Sequence, residues 1–204
     1  MGILRGRSLL TGFRCLLCRN ELFSDEQGNC FCRICMADIG RVREELFFEA
    51  GQGLYHYVGP VRTLIHRYKF EGYRPIGPFM ADAFASVIPM DIDATIMALP
   101  SGRRAKRRNG WGHMELILKR LAAKGYTVDP NCFGRRPGVA QKELSREDRY
   151  LNMRDRLYLR RGISPASYLL IDDVRTTGAT LDAARELLLS AGAERVYCLC
   201  FAID

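Results

Sequence analysis

An apolar strand, Leu169-Leu170-Ile171, runs into the carboxylate pair Asp172-Asp173 and then into Val174-Arg175-Thr176-Thr177-Gly178-Ala179-Thr180, a small hydroxyl-rich loop opening a helix. Backbone N–H groups of such a loop, three threonine hydroxyls and the positive end of the helix dipole all suit a phosphate. Two carboxylates beside a phosphate repel it unless they hold sugar hydroxyls or a cation. A ribose 5-phosphate unit reconciles both demands, with its phosphate on the loop and its 2′- and 3′-hydroxyls on the Asp pair. A plainer reading is a strand-capping Asp followed by a Thr helix cap. One cap needs one such residue, however, and six of the nine positions 172–180 are of the right kind.

The second chemical cluster is at the other end. Five of eight cysteines fall within the first 35 residues, and Cys15-Leu-Leu-Cys18 and Cys32-Arg-Ile-Cys35 form two C-x-x-C knuckles. Two residues between cysteines let a tight turn aim both sulfurs at one ion, and two such turns complete a thiolate tetrahedron. Arg14, Arg19 and Arg33 stand beside the ligands to offset its negative charge. Two disulfides need an oxidising compartment that nothing in the sequence suggests, and rubredoxin-like iron shares the spacing. Structural zinc on Cys15, Cys18, Cys32 and Cys35 is the expectation. Cys30 is an alternative to Cys32 but lacks the C-x-x-C spacing to Cys35. Cys132, Cys198 and Cys200 read as small buried hydrophobes.

A third cluster, Arg103-Arg104-Ala105-Lys106-Arg107-Arg108, places five cations in six positions just after a strand tipped by Pro100. It accounts for part of a formal net charge of +8 in 204 residues. A small polyphosphate is one partner for it, and a nucleic-acid strand with Trp111 as a stacking surface is another. Trp111 in an N-G-W-G-H turn reads more simply as a packing anchor.

The elements that must position these clusters follow from periodicity. Leu54 to Val58 alternates as a strand. Pro60 opens a helix with the stripe Val61, Leu64, Ile65, Tyr68. Met80, Ala83, Phe84, Val87 and Ile88 mark a second helix, and Met114, Ile117, Leu118, Leu121 and Ala122 a third that stops at Gly125. Strands are expected at 94–99, 168–171 and 196–201, and a helix from Leu181 to Ala191. Strands alternating with helices imply an α/β fold with a mostly parallel sheet covered on both faces. The polar stretch 131–162 breaks that rhythm and reads as a functional or mobile loop. No apolar run reaches the roughly 18 residues of a membrane span, Arg5, Arg7 and Arg14 interrupt any signal-peptide core, and Gly6 stands where a myristoylation motif wants Ser or Thr. A soluble, cytoplasmic protein is expected.

The acidic string resembles the phosphoribosyl pyrophosphate (PRPP) motif of type I phosphoribosyltransferases. The order of all the pieces resembles, almost end to end, the ComF family of bacterial competence-associated proteins. Those pieces are the cysteine knuckles, Tyr68-Lys69-Phe70-Glu71-Gly72, the proline-tipped strand with its basic run, Gln141-x-x-Leu144 with Arg149 and Asn152, and the PRPP motif. The resemblance implies a type I phosphoribosyltransferase-like domain at 43–204 behind a four-cysteine zinc ribbon at 1–42. It implies PRPP binding by Asp172, Asp173, Val174, Arg175, Thr176, Thr177, Gly178, Ala179 and Thr180, with Mg2+ accompanying PRPP. Ser101, Gly102 and Arg103 would face the pyrophosphate, and a flexible loop carrying Arg135, Arg136, Gln141 and Lys142 would close over it.

Where ComF proteins read R-G-F-N-Q, this chain has Asn109-Gly110-Trp111-Gly112-His113. Arg107 or Arg108 is then the neighbouring source of the missing cation, and His113 either donates a hydrogen bond like the amide it replaces or, more simply, is a surface residue at a helix start. Some purine-specific relatives of the superfamily carry an acid where Thr176 stands, so no dedicated general base is visible. The implied functions are phosphoribosyl transfer or recognition in nucleotide metabolism or DNA uptake. A DNA-handling accessory that contacts single strands through the ribbon and basic run, and a PRPP-sensing regulator without turnover, are the alternatives.

Overall fold

The computed structural model describes residues 10–23, 26, 30–43, 52–100, 107, 110–136 and 156–204. In chain order these form β1 (Leu10–Arg14), β2 (Glu21–Phe23), α1 (Arg33–Arg41), β3 (Gln52–His56), α2 (Gly59–Phe70), α3 (Ile76–Ala85), β4 (Thr95–Ala98), α4 (His113–Ala123), β5 (Val128–Asp129), β6 (Phe133–Arg135), β7 (Leu157–Leu159), β8 (Ser167–Arg175), α5 (Ala179–Ser190) and β9 (Arg195–Ile203).

Five strands make one sheet in the order β3-β9-β8-β4-β5, every pairing parallel. The central strand, β8, is apolar on both sides because both of its faces are covered. Leu169 and Ile171 pack into a core shared with α2, α3 and α4, while Tyr168 and Leu170 pack into a second core with α5. This is the helix-flanked parallel α/β arrangement expected from the alternating periodicities. On α2 the stripe Val61, Leu64, Ile65 and Tyr68 is fully buried, each side chain contributing about 1.5–3 kcal/mol of apolar transfer. On α5, Leu181, Ala184 and Leu188 do the same against the other face.

The β4–α4–β5 and β8–α5–β9 connections leave the sheet in opposite directions, so a crevice opens beyond the carboxyl ends of β4 and β8. Several boundaries differ from the periodic reading. Strand β3 stops at His56, because the chain turns at Tyr57 and Val58 to start α2 at Gly59. Helix α3 starts at Ile76 and ends at Ala85, four residues before Pro89. Strand β8 does not end at Ile171 but continues through Asp172 and Asp173 to Arg175, because β9 pairs with it along that whole length. Part of the expected loop 131–162 is ordered as a β6–β7 antiparallel hairpin whose Phe133 and Leu157 join the α5-side core.

The cysteine-bearing segment packs on this sheet domain and shares its core. Leu22, Phe31 and Ile39 are buried with α2 and α3 residues, and Phe31 meets Phe79 edge-on at 5.0 Å. The Arg67 guanidinium donates to the Leu16 carbonyl, and the Cys30 thiol donates to the Pro75 carbonyl at 3.2 Å. After α1 the chain crosses the outer edge of β3: His56 N–H donates to the Val42 carbonyl at 2.9 Å, and Arg43 pairs antiparallel with Tyr55. Among the described residues, no helix is long and apolar enough to cross a membrane.

Candidate functional site

Two groups of side chains carry chemistry. In the first, the sulfurs of Cys15, Cys18, Cys32 and Cys35 all lie within 4.8 Å of one another, and those of Cys18 and Cys32 are 3.7 Å apart. A tetrahedron with metal–sulfur bonds of about 2.3 Å has sulfur–sulfur edges of about 3.8 Å, so the set fits one tetrahedral ion. The turn that aims Cys15 and Cys18 holds Arg19 at φ 64°, a left-handed conformation costly for a side-chain-bearing residue. Arg19 N–H closes that turn on the Cys15 carbonyl at 2.9 Å.

Burial opposes ionisation of Cys15, yet N–H groups of Cys18, Cys32 and Leu17 outweigh it and bring the thiol down to about 7. Burial pushes Cys18 and Cys35 up. Four crowded thiols of this kind ionise together only around a cation. Cys30 is outside the set, as its spacing to Cys35 implies. Buried Glu26 braces the cluster: its two oxygens accept the N–H groups of Phe23 and Arg33, each at 2.8 Å, tying β2 to the start of α1.

The second group surrounds the end of β8. The strand turns through Thr176, Thr177 and Gly178 into α5, with Gly178 at φ 78° as the helix N-cap. No side chain caps this helix, which disposes of the plain Asp- or Thr-cap reading and leaves the first-turn N–H groups facing the turn. A Cβ on Gly178 would stand 2.9 Å from Arg175 Nε and 3.0 Å from an Asp182 oxygen, so the turn is closed around a bare backbone. The turn encloses a cavity of about 40 Å³ lined by Asp172 and by every residue from Val174 to Leu181. That is far below the few hundred Å³ of a drug-sized site, and its dimensions suit a phosphate group.

Asp173 does not line the cavity. Adjacent strand residues point to opposite faces, and Asp173 sits 3% exposed on the α2–α4 side. There its Oδ2 lies 2.8 Å from Lys69 Nζ and 2.8 Å from His113 Nε2, while its Oδ1 accepts the Val174 N–H at 2.7 Å. Burial alone would raise its pKa, but the His113 hydrogen bond and the Lys69 charge hold it well below the carboxylate range. Lys69 is correspondingly raised despite burial. Asp172 moves the other way, pushed up to about 7 by burial and by the Asp173 charge, against the pull of Lys69.

The structure thus brings Asp172, Val174, Arg175, Thr176, Thr177, Gly178, Ala179 and Thr180 together and sets Asp173 apart. Arg107 is exposed. Arg136 stands exposed at the open end of the hairpin with its guanidinium over the Tyr158 ring at 5.8 Å, and Arg135 lies half-buried beside it. Ser101, Gly102, Arg103, Gln141 and Lys142 lie outside the described residues. The expectation that His113 is a surface residue is overturned: its side chain is 12% exposed and bonds Asp173, because α4 begins over the end of β8. Trp111 is a packing anchor, its ring 5.0 Å from that of Tyr68. Lys69 stands in the Tyr68–Gly72 string, but its role is invisible there; its partner is 104 positions away, beyond any local pattern.

No family model matches the chain. DNA utilization protein YhgH of Salmonella typhi is 28% identical over 155 residues, covering 71% of this chain and 68% of that protein. Competence protein F of Haemophilus influenzae is 23% identical over 215 residues, covering 90% and 94%, and competence protein ComFC of Bacillus subtilis 25% over 187 residues, covering 90% and 74%. Among solved structures, a hypoxanthine phosphoribosyltransferase of Staphylococcus aureus aligns with a TM-score of 0.37 at 17% identity, over 64% of this chain and 62% of that one.

Proposed function

Because the homologues of this chain are the ComF-type competence proteins and YhgH, consistent with the ComF family read from its motifs, we propose that it binds a phosphoribosyl group, PRPP above all, and transfers or recognises it in DNA uptake. One observation carries the reading: at the carboxyl end of the central parallel strand, an uncapped helix start and a threonine-rich turn with Gly178 at its tip surround a small cavity with Asp172 on its wall. In this reading the N–H groups and hydroxyls of 176–180 hold the 5′-phosphate and Asp172 takes a ribose hydroxyl. Arg175 closes one side of the turn. The pyrophosphate falls to Ser101, Gly102, Arg103 and Arg107, and the loop with Arg136, Gln141 and Lys142 excludes water on closing.

Mg2+ bound with PRPP would supply neutralising charge for the pyrophosphate leaving group. The chain's own contribution is orientation and electrostatic stabilisation, with Asp172 the acidic group on the cavity wall. The cysteine cluster is the site of a structural Zn2+, and the chain divides into a ribbon at 1–42 and a phosphoribosyltransferase-like domain at 43–204. Calorimetry with PRPP and Mg2+, followed by a nucleobase panel read out as pyrophosphate release, tests the proposal. Asp172→Asn is expected to weaken PRPP binding at least tenfold, and unchanged affinity would sink it. Binding without pyrophosphate release would leave a PRPP sensor.

A second reading is supported by the homologues' names, which concern competence and DNA utilization: single-stranded DNA is the partner. Exposed Phe13, Arg14, Arg19 and Arg33 on the cysteine unit give it a surface. A steep loss of oligonucleotide affinity with salt, flattened by neutralising these arginines, is its signature.

A further inference from the structure

We infer that Lys69 and His113 are positioning residues of the proposed phosphoribosyl site, which fix Asp173 as a buried strut so that Asp172 alone of the acidic pair meets the ligand. This rests on the phosphoribosyl reading above, but the geometry behind it is independent of any ligand. The cavity is lined by Asp172 and by the unbroken run 174–181, and it skips Asp173. Within β8, Asp172 and Asp173 face opposite ways as strand neighbours do. Oδ1 accepts the Val174 N–H, and Oδ2, shut off from solvent, lies 2.8 Å from both Lys69 Nζ and His113 Nε2. A carboxylate 3% exposed and ion-paired on the α2–α4 side is out of reach of a sugar hydroxyl in the cavity.

The two partners come from different helices. Lys69 is in the last turn of α2 and His113 is the first residue of α4. Tyr68, next to Lys69, donates its hydroxyl to the His113 carbonyl at 2.6 Å. Tyr68 also packs on Trp111, whose ring carries the Arg74 guanidinium at 5.4 Å. Asp173 therefore pins two helix ends to the strand that leads into the phosphate turn. The other titratable groups around it are Asp172 on its own strand, Cys200 on β9 in register with Asp172, Tyr68 on α2, and Tyr57 near Lys69. Asp172 is pushed toward its protonated form by burial and by the Asp173 charge, as the strut arrangement requires.

Two measurements on the full chain test this. The first is ligand-free carbon-13 NMR titration of the Asp172 and Asp173 carboxylates. Asp173 is expected to stay ionised to the acid limit of the folded state. Its midpoint should rise by about one pH unit or more in Lys69→Met and return in Lys69→Arg. His113→Gln, which keeps a donor in place of the imidazole, gives a smaller rise and serves if Lys69→Met does not fold. An Asp173 that titrates in the ordinary range, or ignores both changes, overturns the strut.

The second is binding of ribose 5-phosphate against 2-deoxyribose 5-phosphate. Wild type should prefer the former, Asp172→Asn should erase the preference, and Asp173→Asn should weaken both sugars by the same factor. A preference erased by Asp173→Asn instead overturns the division of labour. If neither sugar binds at millimolar concentration, the phosphoribosyl reading fails, and the titration alone decides whether Asp173 is a strut.

Discussion

The cysteine cluster and the acidic pair face the same difficulty, groups that repel one another when ionised, and meet it in opposite ways. Four sulfurs converge within 4.8 Å and leave the compensating charge to an ion from outside. Two carboxylates on one strand are turned to opposite faces, and one of them is compensated by the chain's own Lys69 and His113. The first arrangement calls for a cation it does not itself contain. The second is complete without a ligand, and it keeps one carboxylate in reserve at the cavity. Local spacing suffices to build the first, whereas the second exists only once α2, α4 and β8 have docked.

The comparison can be broken most forcefully at the cysteines. Cys15→Ser should lower bound zinc from one equivalent to under a tenth and cost more than about 5 kcal/mol of stability, because Phe31 and Ile39 of the same unit belong to the α2–α3 core. Metal analysis with denaturant unfolding reads both effects. Full zinc content and stability in that variant would refute the ribbon.

Removing the internal compensation comes next. Lys69→Met leaves a buried carboxylate with only His113 beside it, and about 3 kcal/mol of destabilisation is expected. The pH dependence sharpens the contrast between the two acids. Asp173 is depressed when folded, so its contribution is present above the unfolded carboxylate value near 4 and is lost as pH falls through its lower folded value. Asp172 is raised to about 7, so its contribution is present below about 4 and is lost as pH rises toward 7. Thermal midpoints should therefore decline between pH 4 and 7 on account of Asp172, and Asp172→Asn should flatten that slope.

Smaller effects test the turn and the excluded cysteine. Gly178→Ala is expected to cost about 1–2 kcal/mol for its left-handed backbone, to crowd Arg175 and Asp182, and to weaken binding of inorganic phosphate in calorimetry. Cys30→Ser keeps a donor toward Pro75 and should change stability by less than about 0.5 kcal/mol with zinc content intact. A loss of zinc there would move Cys30 into the ligand set.

What could be read before folding follows the same division. The C-x-x-C spacings identify the four convergent cysteines and set Cys30 aside, because two intervening residues fix a turn without help from elsewhere. The helical stripes of α2, α4 and α5 and the apolar core of β8 were legible for the same reason. The split of Asp172 from Asp173 was not, since it depends on β8 running four residues past Ile171, and β9 pairing decides that. His113 stood where the resemblance wants an amide donor, but its partner and that of Lys69 were not legible, because Asp173 is 60 and 104 positions away respectively. The short strands β5, β6 and β7 carry two or three residues each, too few to show a period.

The segment after α1 has a consequence for solubility. A parallel sheet presents an unpaired row of N–H and C=O groups at its outermost strand, which invites another chain to add itself. At the β3 side, Val42 and Arg43 already occupy that row through His56 and Tyr55. The cysteine-bearing segment is thus also a bumper on the sheet, and a chain trimmed to begin after residue 43 should self-associate through the bared edge even where its core still folds.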